Sequence, residues 1–167
     1  MTRPPASPES SHSTSAEGPI RLCQTATTCN RELVAEIFER AAFIQNLGIV
    51  CTGCEAGICD SELKMQAPLQ QQHGFLHAAV ITAMADHTAG AAGASLVESG
   101  QDVITVEFKV SFLRPGVGPF FQCRGRVLRR GKDLIFTEAD VVGRADRGAP
   151  PKLVAKFSGT LKIIPHR

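Results

Sequence analysis

The run QQHGFLHAAVITAMADHTAGAAG, residues 71–93, restricts the possible fold more than any other stretch of the chain. Ala83, Ala85, Ala89, Ala91, Ala92 and Ala94, with Gly90 and Gly93, leave hardly any bulk on any side of a helix through this segment. Such a helix needs a sheet wrapped closely around it, because only close backbone approach fills the space beside small side chains. Its polar residues, His77, Asp86 and His87, are then the anomaly. Burying a carboxylate costs several kcal/mol unless it is paired or put to chemical use. Asp86 therefore has a structural partner, or faces solvent near a helix end, or does chemistry. His77 and Asp86 are nine positions apart, about 900° of rotation at roughly 100° per residue, so they point to opposite sides. On one regular helix they cannot share a site within one chain; a two-fold partner could bring His77 of one subunit to Asp86 of the other.

The flanking pattern predicts the rest of the domain. Residues 1–20 are rich in Pro, Ser, Thr and Glu and read as a disordered tail, leaving 21–167 as a single domain. NRELVAEIFERAAFIQNLG, 30–48, predicts an amphipathic helix with Leu33, Ile37, Ala41 and Ile44 on one side, Asn30 as cap and Gly48 as stop. Residues 49–66 predict two short strands around Glu55-Ala56-Gly57, ended by Pro68. From 103 to 110 the residues alternate as in a strand with one buried face. Two long strands follow, turned at Arg130-Gly131-Lys132, and KLVAKFSGTLKII closes the domain. The order predicts an α+β domain with one long antiparallel sheet and one central helix.

Composition narrows the function. A net charge of +2 and the absence of Trp and Tyr argue against a nucleic-acid surface. No apolar run reaches the roughly 18 residues of a membrane span, and the first 20 residues carry no secretory pattern, so a cytoplasmic protein is expected. Six cysteines then read as reduced thiols. Cys51 and Cys54 do not read as metal ligands, since a three-residue offset on a strand sends side chains to opposite faces and no second ligand pair is evident.

GFLHAAVITAMADHTAG at 74–90, followed by TVEFKVSFLRPG at 105–116, resembles the hotdog-fold thioesterases of the phenylacetate-pathway (PaaI-like) type. Their pattern is Gly-x-x-His-Gly-Gly, a small-residue helix with an acid nine after the His, and a strand ending in Arg/Lys-Pro; the likeness spans about residues 30–165. The resemblance implies a hotdog fold, five or six antiparallel strands around one helix, paired into a homodimer or a dimer of dimers. It implies acyl-CoA as substrate, hydrolysed at a site shared between subunits, with no metal or redox cofactor. Carried over by position, Asp86 is the general base or nucleophile, His77 the motif histidine, Ala78 the amide donor to the thioester oxygen, Gln71 the side-chain amide, and Thr105 the hydroxyl on the following strand.

A backbone N–H at a helix N-terminus suits oxyanion binding, and a carboxylate in apolar surroundings has the raised pKa of a base. The phosphates of CoA call for cations, of which Arg114, Arg130 and Lys132 are the candidates; a basic hairpin tip is equally a solvated turn. The chain departs from the pattern at Ala78-Ala79, where an alanine at positive φ would be strained, and at Gly90, where some members carry a hydroxyl. His87 has no catalytic assignment and reads as a packing residue. The alternatives to hydrolysis are hotdog dehydratase chemistry on acyl carriers, a non-catalytic acyl-CoA-binding protein of the same fold, and a structural unit without ligand.

Overall fold

In the computed structural model, residues 28–166 are described, and the expected tail at 1–20 lies outside them. The helix expected over 30–48 is two helices. Asn30 caps α1, Arg31–Arg40, by accepting a hydrogen bond from the Leu33 N–H at 3.2 Å. At Ala41 the backbone leaves the helical region (ψ 84°), and α2, Ala42–Leu47, starts in a new direction. Gly48, at φ 75°, ends α2 as expected. A hairpin of β1, Ile49–Glu55, and β2, Ile58–Lys64, turns at Ala56-Gly57. After a turn at 71–75 comes α3, Ala78–Ala94. Four strands complete the domain: β3, Gln101–Phe112; β4, Phe120–Arg130; β5, Leu134–Arg144; and β6, Lys152–Pro165.

The strands form one antiparallel sheet in the order β1-β2-β4-β5-β6-β3. Its inner face closes on α3, and Leu63, Met84, Phe121, Ile135 and Leu161 are fully buried between them. Small residues make that contact possible. A Cβ on Gly125 of β4 would lie 2.6 Å from the Thr88 carbonyl oxygen, so sheet and helix backbones touch there. Beside this contact the Ser61 and Thr88 hydroxyls are 2.6 Å apart, and Thr88 also donates to the Met84 carbonyl at 2.7 Å. The two hydroxyls satisfy one another in an otherwise apolar layer.

Two strands differ from expectation. β3 has no fully buried face; it is an edge strand, and Ile104, Val106, Phe108 and Phe112 are between 49 and 59 % exposed. Its ladder with β6 is bulged between Thr105 and Glu107, which breaks the period-two alternation. β1 is bulged between Cys51 and Gly53. That extra residue puts Cys51 opposite Ser61 and Cys54 opposite Cys59, on one face rather than two.

Candidate active site

The Asp86 carboxylate accepts a hydrogen bond from the Thr105 hydroxyl at 2.9 Å. The two residues come from the middle of α3 and from edge strand β3, so the fold joins positions 19 apart in sequence. Burial pushes the Asp86 pKa above the usual carboxylate range, and the Thr105 hydrogen bond partly offsets that rise. Asp86 and Thr105 line a cleft of about 460 Å³ between α1, α3 and the β3–β6 edge. Gly90 forms part of its floor, and nothing lies within 4 Å of where its Cβ would be.

The cleft contains residues that sequence reasoning did not single out. Glu36 and Arg40 form an ion pair on α1 at its wall, and Asp102 and His166 close one end. His166 Nδ1 is 3.6 Å from Asp102 and Nε2 is 3.8 Å from Glu36. Glu36 and Arg40 look like an ordinary exposed i,i+4 pair in the sequence, and His166 lies far from the motif, so neither carried a signal. His87 also lines the cleft, its ring edge-on to Phe38 with centroids 4.6 Å apart. Its Nε2 is buried without a partner, and burial lowers its pKa to about 4. A neutral imidazole packed on an aromatic ring agrees with the packing role.

The other motif residues lie at or just before the start of α3, at a different place on the chain. His77 is the N-cap, and its Nδ1 accepts from the Ala79 N–H at 3.0 Å. Ala78 is the first helical residue, where N–H groups have no acceptor within the helix. No non-glycine residue among those described has positive φ, so Ala78 and Ala79 carry no left-handed strain. Gln71 opens the preceding turn: its N–H donates to Phe75 O at 2.9 Å, and its side-chain oxygen accepts from the His73 N–H. The motif residues thus fall into two groups, His77 and Ala78 at the start of α3 with Gln71 in the turn before it, and Asp86 with Thr105.

Of the candidate cations, Arg114 follows β3 in a loop tied to the α3 start by the Leu76 N–H donating to Gly116 O at 2.9 Å. One Arg114 guanidinium nitrogen donates to Leu153 O at 3.0 Å. Arg130 is at the opposite end of the domain, with Nε donating to Leu96 O at 3.1 Å, and Lys132 is exposed in the neighbouring turn. Among the described residues no group of three or more His, Cys, Asp or Glu could hold a metal ion, and no helix is long and apolar enough to cross a membrane.

A six-stranded antiparallel sheet closed on one helix, with a half-buried carboxylate on that helix, is the architecture of a hotdog thioesterase. Residues 73–148 match the thioesterase superfamily. A protein of Saccharolobus solfataricus assigned as an esterase is 31% identical over 132 residues, covering 78% of this chain and 90% of that one. The crystal structure of a thioesterase family protein from Silicibacter pomeroyi superposes with a TM-score of 0.78 at 31% identity, covering 81% of this chain and 98% of its own. The PaaI protein of the E. coli phenylacetic acid degradation operon shares the fold, with a TM-score of 0.72 at 21% identity, covering 80% of this chain and 92% of its own. The chain belongs to the thioesterase superfamily, and its enzyme class is thioester hydrolase.

Proposed function

We propose that the protein hydrolyses acyl-CoA thioesters to a free acid and CoA at a site completed by a second copy of the chain. The observation that carries this is the separation of the motif residues into two clusters, joined with the bare apolar edge of β3. An edge strand of 12 residues with such side chains exposed is a template for strand pairing. Two copies pairing antiparallel about a two-fold axis near Phe108 would continue the sheet across both protomers. Thr105 would then lie across from the partner's Ser111 or Phe112. The start of α3 is tethered to the loop just beyond that point, so the partner's Ala78, His77 and Gln71 would approach Asp86.

The chemistry follows from these positions. Asp86, held by Thr105, takes a proton from water as the water oxygen attacks the thioester carbonyl carbon. Negative charge develops on the carbonyl oxygen, which the partner's Ala78 N–H meets at the positive end of α3, with the Gln71 amide as a second donor. Collapse of the tetrahedral intermediate breaks the C–S bond and releases the CoA thiolate, which is then protonated. The raised pKa of Asp86 makes it a stronger base than a solvated carboxylate. Arg114 travels with the α3 start and suits a CoA phosphate; Arg130 and Lys132 would serve only a nucleotide lying along the far end of the sheet.

Complementation tests the shared site. Ala78→Pro removes one N–H and fits a first helical position, and His77, at φ −63° and ψ 137°, already has the extended backbone a following proline requires. Asp86→Asn and Ala78→Pro should each be inactive alone in a CoA thiol-release assay. Unfolded together and refolded as a mixture, they should regain about a quarter of wild-type activity, because half the dimers are hybrids with one intact site out of two. No recovery from a mixture shown to contain hybrid dimers would mean that each site lies within one chain. A non-catalytic acyl-CoA binder would instead bind substrate without thiol release by the wild type.

A further inference from the structure

Four of the six cysteines lie on one patch, because the β1 bulge turns Cys51 and Cys54 to the same face. Cys54 Sγ is 3.1 Å from Cys29 Sγ, and Cys51 Sγ is 4.0 Å from Cys59 Sγ. The chain just after Cys29 is anchored to the end of α3. The Asn30 N–H donates to Ser95 O at 2.9 Å, and the Arg31 N–H donates to Cys29 O at 2.9 Å, so Cys29 is held against β1 as α1 begins. We propose that Cys29 and Cys54 are a thiol–disulfide exchange site, closed by a low-molecular-weight disulfide into a bond that staples the start of α1 to β1.

The exposures of the four thiols set the order of steps. Cys59 is fully buried and Cys51 is exposed at the sheet edge, while Cys29 and Cys54 are half-buried. Burial, reinforced by the Cys29 thiol, pushes the Cys54 pKa up to about 12, and burial raises Cys59 as well, so neither supplies the first thiolate at neutral pH. The Cys29 thiolate attacks the small disulfide, forming a mixed disulfide and expelling one small thiolate. Cys54 then attacks the Cys29 sulfur, its proton passing to the second departing thiolate, and the Cys29–Cys54 bond forms. Two protein thiols and one small disulfide yield one protein disulfide and two small thiols. The bond fixes the first turn of the helix whose Leu33, Glu36, Ile37 and Arg40 wall the Asp86 cleft.

The experiment uses the full chain, reduced, freed of reductant and incubated with glutathione disulfide, then alkylated under denaturing conditions and mapped by peptide mass. Expected are a Cys29–Cys54 linked peptide, loss of two alkylatable thiols, and a melting temperature higher by about 5–10 °C for the 25-residue separation that is closed. Cys51→Ser should keep both the linkage and the shift; Cys29→Ser should lose both. Linkage of Cys54 to another cysteine, or Cys29 remaining free, overturns the proposal. So does a full thermal shift in the Cys29→Ser protein.

Discussion

Gly125→Ala is a one-carbon change whose effect can be worked from contacts. The added Cβ would meet the Thr88 carbonyl oxygen at 2.6 Å, its carbon at 2.8 Å and the Ala89 nitrogen at 2.9 Å. All three are helix backbone, so no side chain can rotate away. Position 125 is held from both sides, paired with Cys59 on β2 and Ala139 on β5. Reaching an ordinary contact of 3.4 Å requires α3 to retreat by about 0.8 Å. That movement strains the Ser61–Thr88 hydroxyl contact and opens the layer around Met84. Overpacking of this kind costs roughly 1–3 kcal/mol, or about 2–12 °C in melting temperature for a chain of this size. Asp86, the proposed base, is two residues from Thr88 on the same helix, and a displacement near 1 Å at a reacting group can cost on the order of 100-fold in rate. Thermal melting and thioester turnover on Gly125→Ala should both fall, whereas Gly90→Ala, with open space at its Cβ, should melt about 0.5–1 kcal/mol more stably. Wild-type melting and turnover for Gly125→Ala would refute the claim that backbone contact at Thr88 sets the position of Asp86.

Other perturbations read out different parts of the structure. Burial holds the His87 pKa near 4 against 6.5 in the unfolded chain, which therefore binds more protons between those values. Stability from this group is present above pH 6.5 and lost as pH falls toward 4, by up to about 3 kcal/mol; urea unfolding of His87→Leu should show a flatter dependence between pH 7 and 4.5. Thr105→Val removes the hydrogen bond that lowers the Asp86 pKa, so the acid limb of the kcat/KM profile should move to higher pH, with turnover at pH 7 reduced about tenfold. Val106→Lys places a charge on the exposed β3 edge; if the proposed pairing holds, sedimentation should show monomers where the wild type is a dimer, and activity should be lost with it.

The fold was legible where side-chain size and alternation decide it. The alanines and glycines of α3 announced a helix in contact with a sheet, and Gly125 and Gly93 are where that contact is made. The two long strands turned at Arg130-Gly131-Lys132 are β4 and β5, and burial alternates along β5 and along β4 as far as the bulge after Val127. Local backbone irregularity was not legible. Nothing in the composition around Ala41 foretells the break between α1 and α2, and the bulge between Cys51 and Gly53 reverses the faces that strand periodicity assigns. β3 misled for another reason: its apolar residues read as core, yet an edge strand leaves them bare on the single chain. For the site, the nine-residue offset of His77 and Asp86 foretold two separate clusters, and the resemblance alone linked Asp86 to Thr105. Asp102 and His166 reach the cleft only through tertiary closure of β3 on β6, which no local pattern encodes.

In the proposed mechanism the carboxylate of Asp86 does the hydrolysis. Burial raises its pKa, so the charged form costs folding stability at neutral pH, and that cost grows as pH rises through the folded pKa. Asp86→Asn should therefore melt at or above the wild-type temperature at pH 8. The measurement to make is release of CoA thiol from short, medium, long and aryl acyl-CoAs by wild-type and Asp86→Asn protein side by side. Turnover by wild type with a loss of 10³-fold or so in a variant that is at least as stable is the expected result. A stable Asp86→Asn protein that turns over acyl-CoA at near the wild-type rate would contradict it.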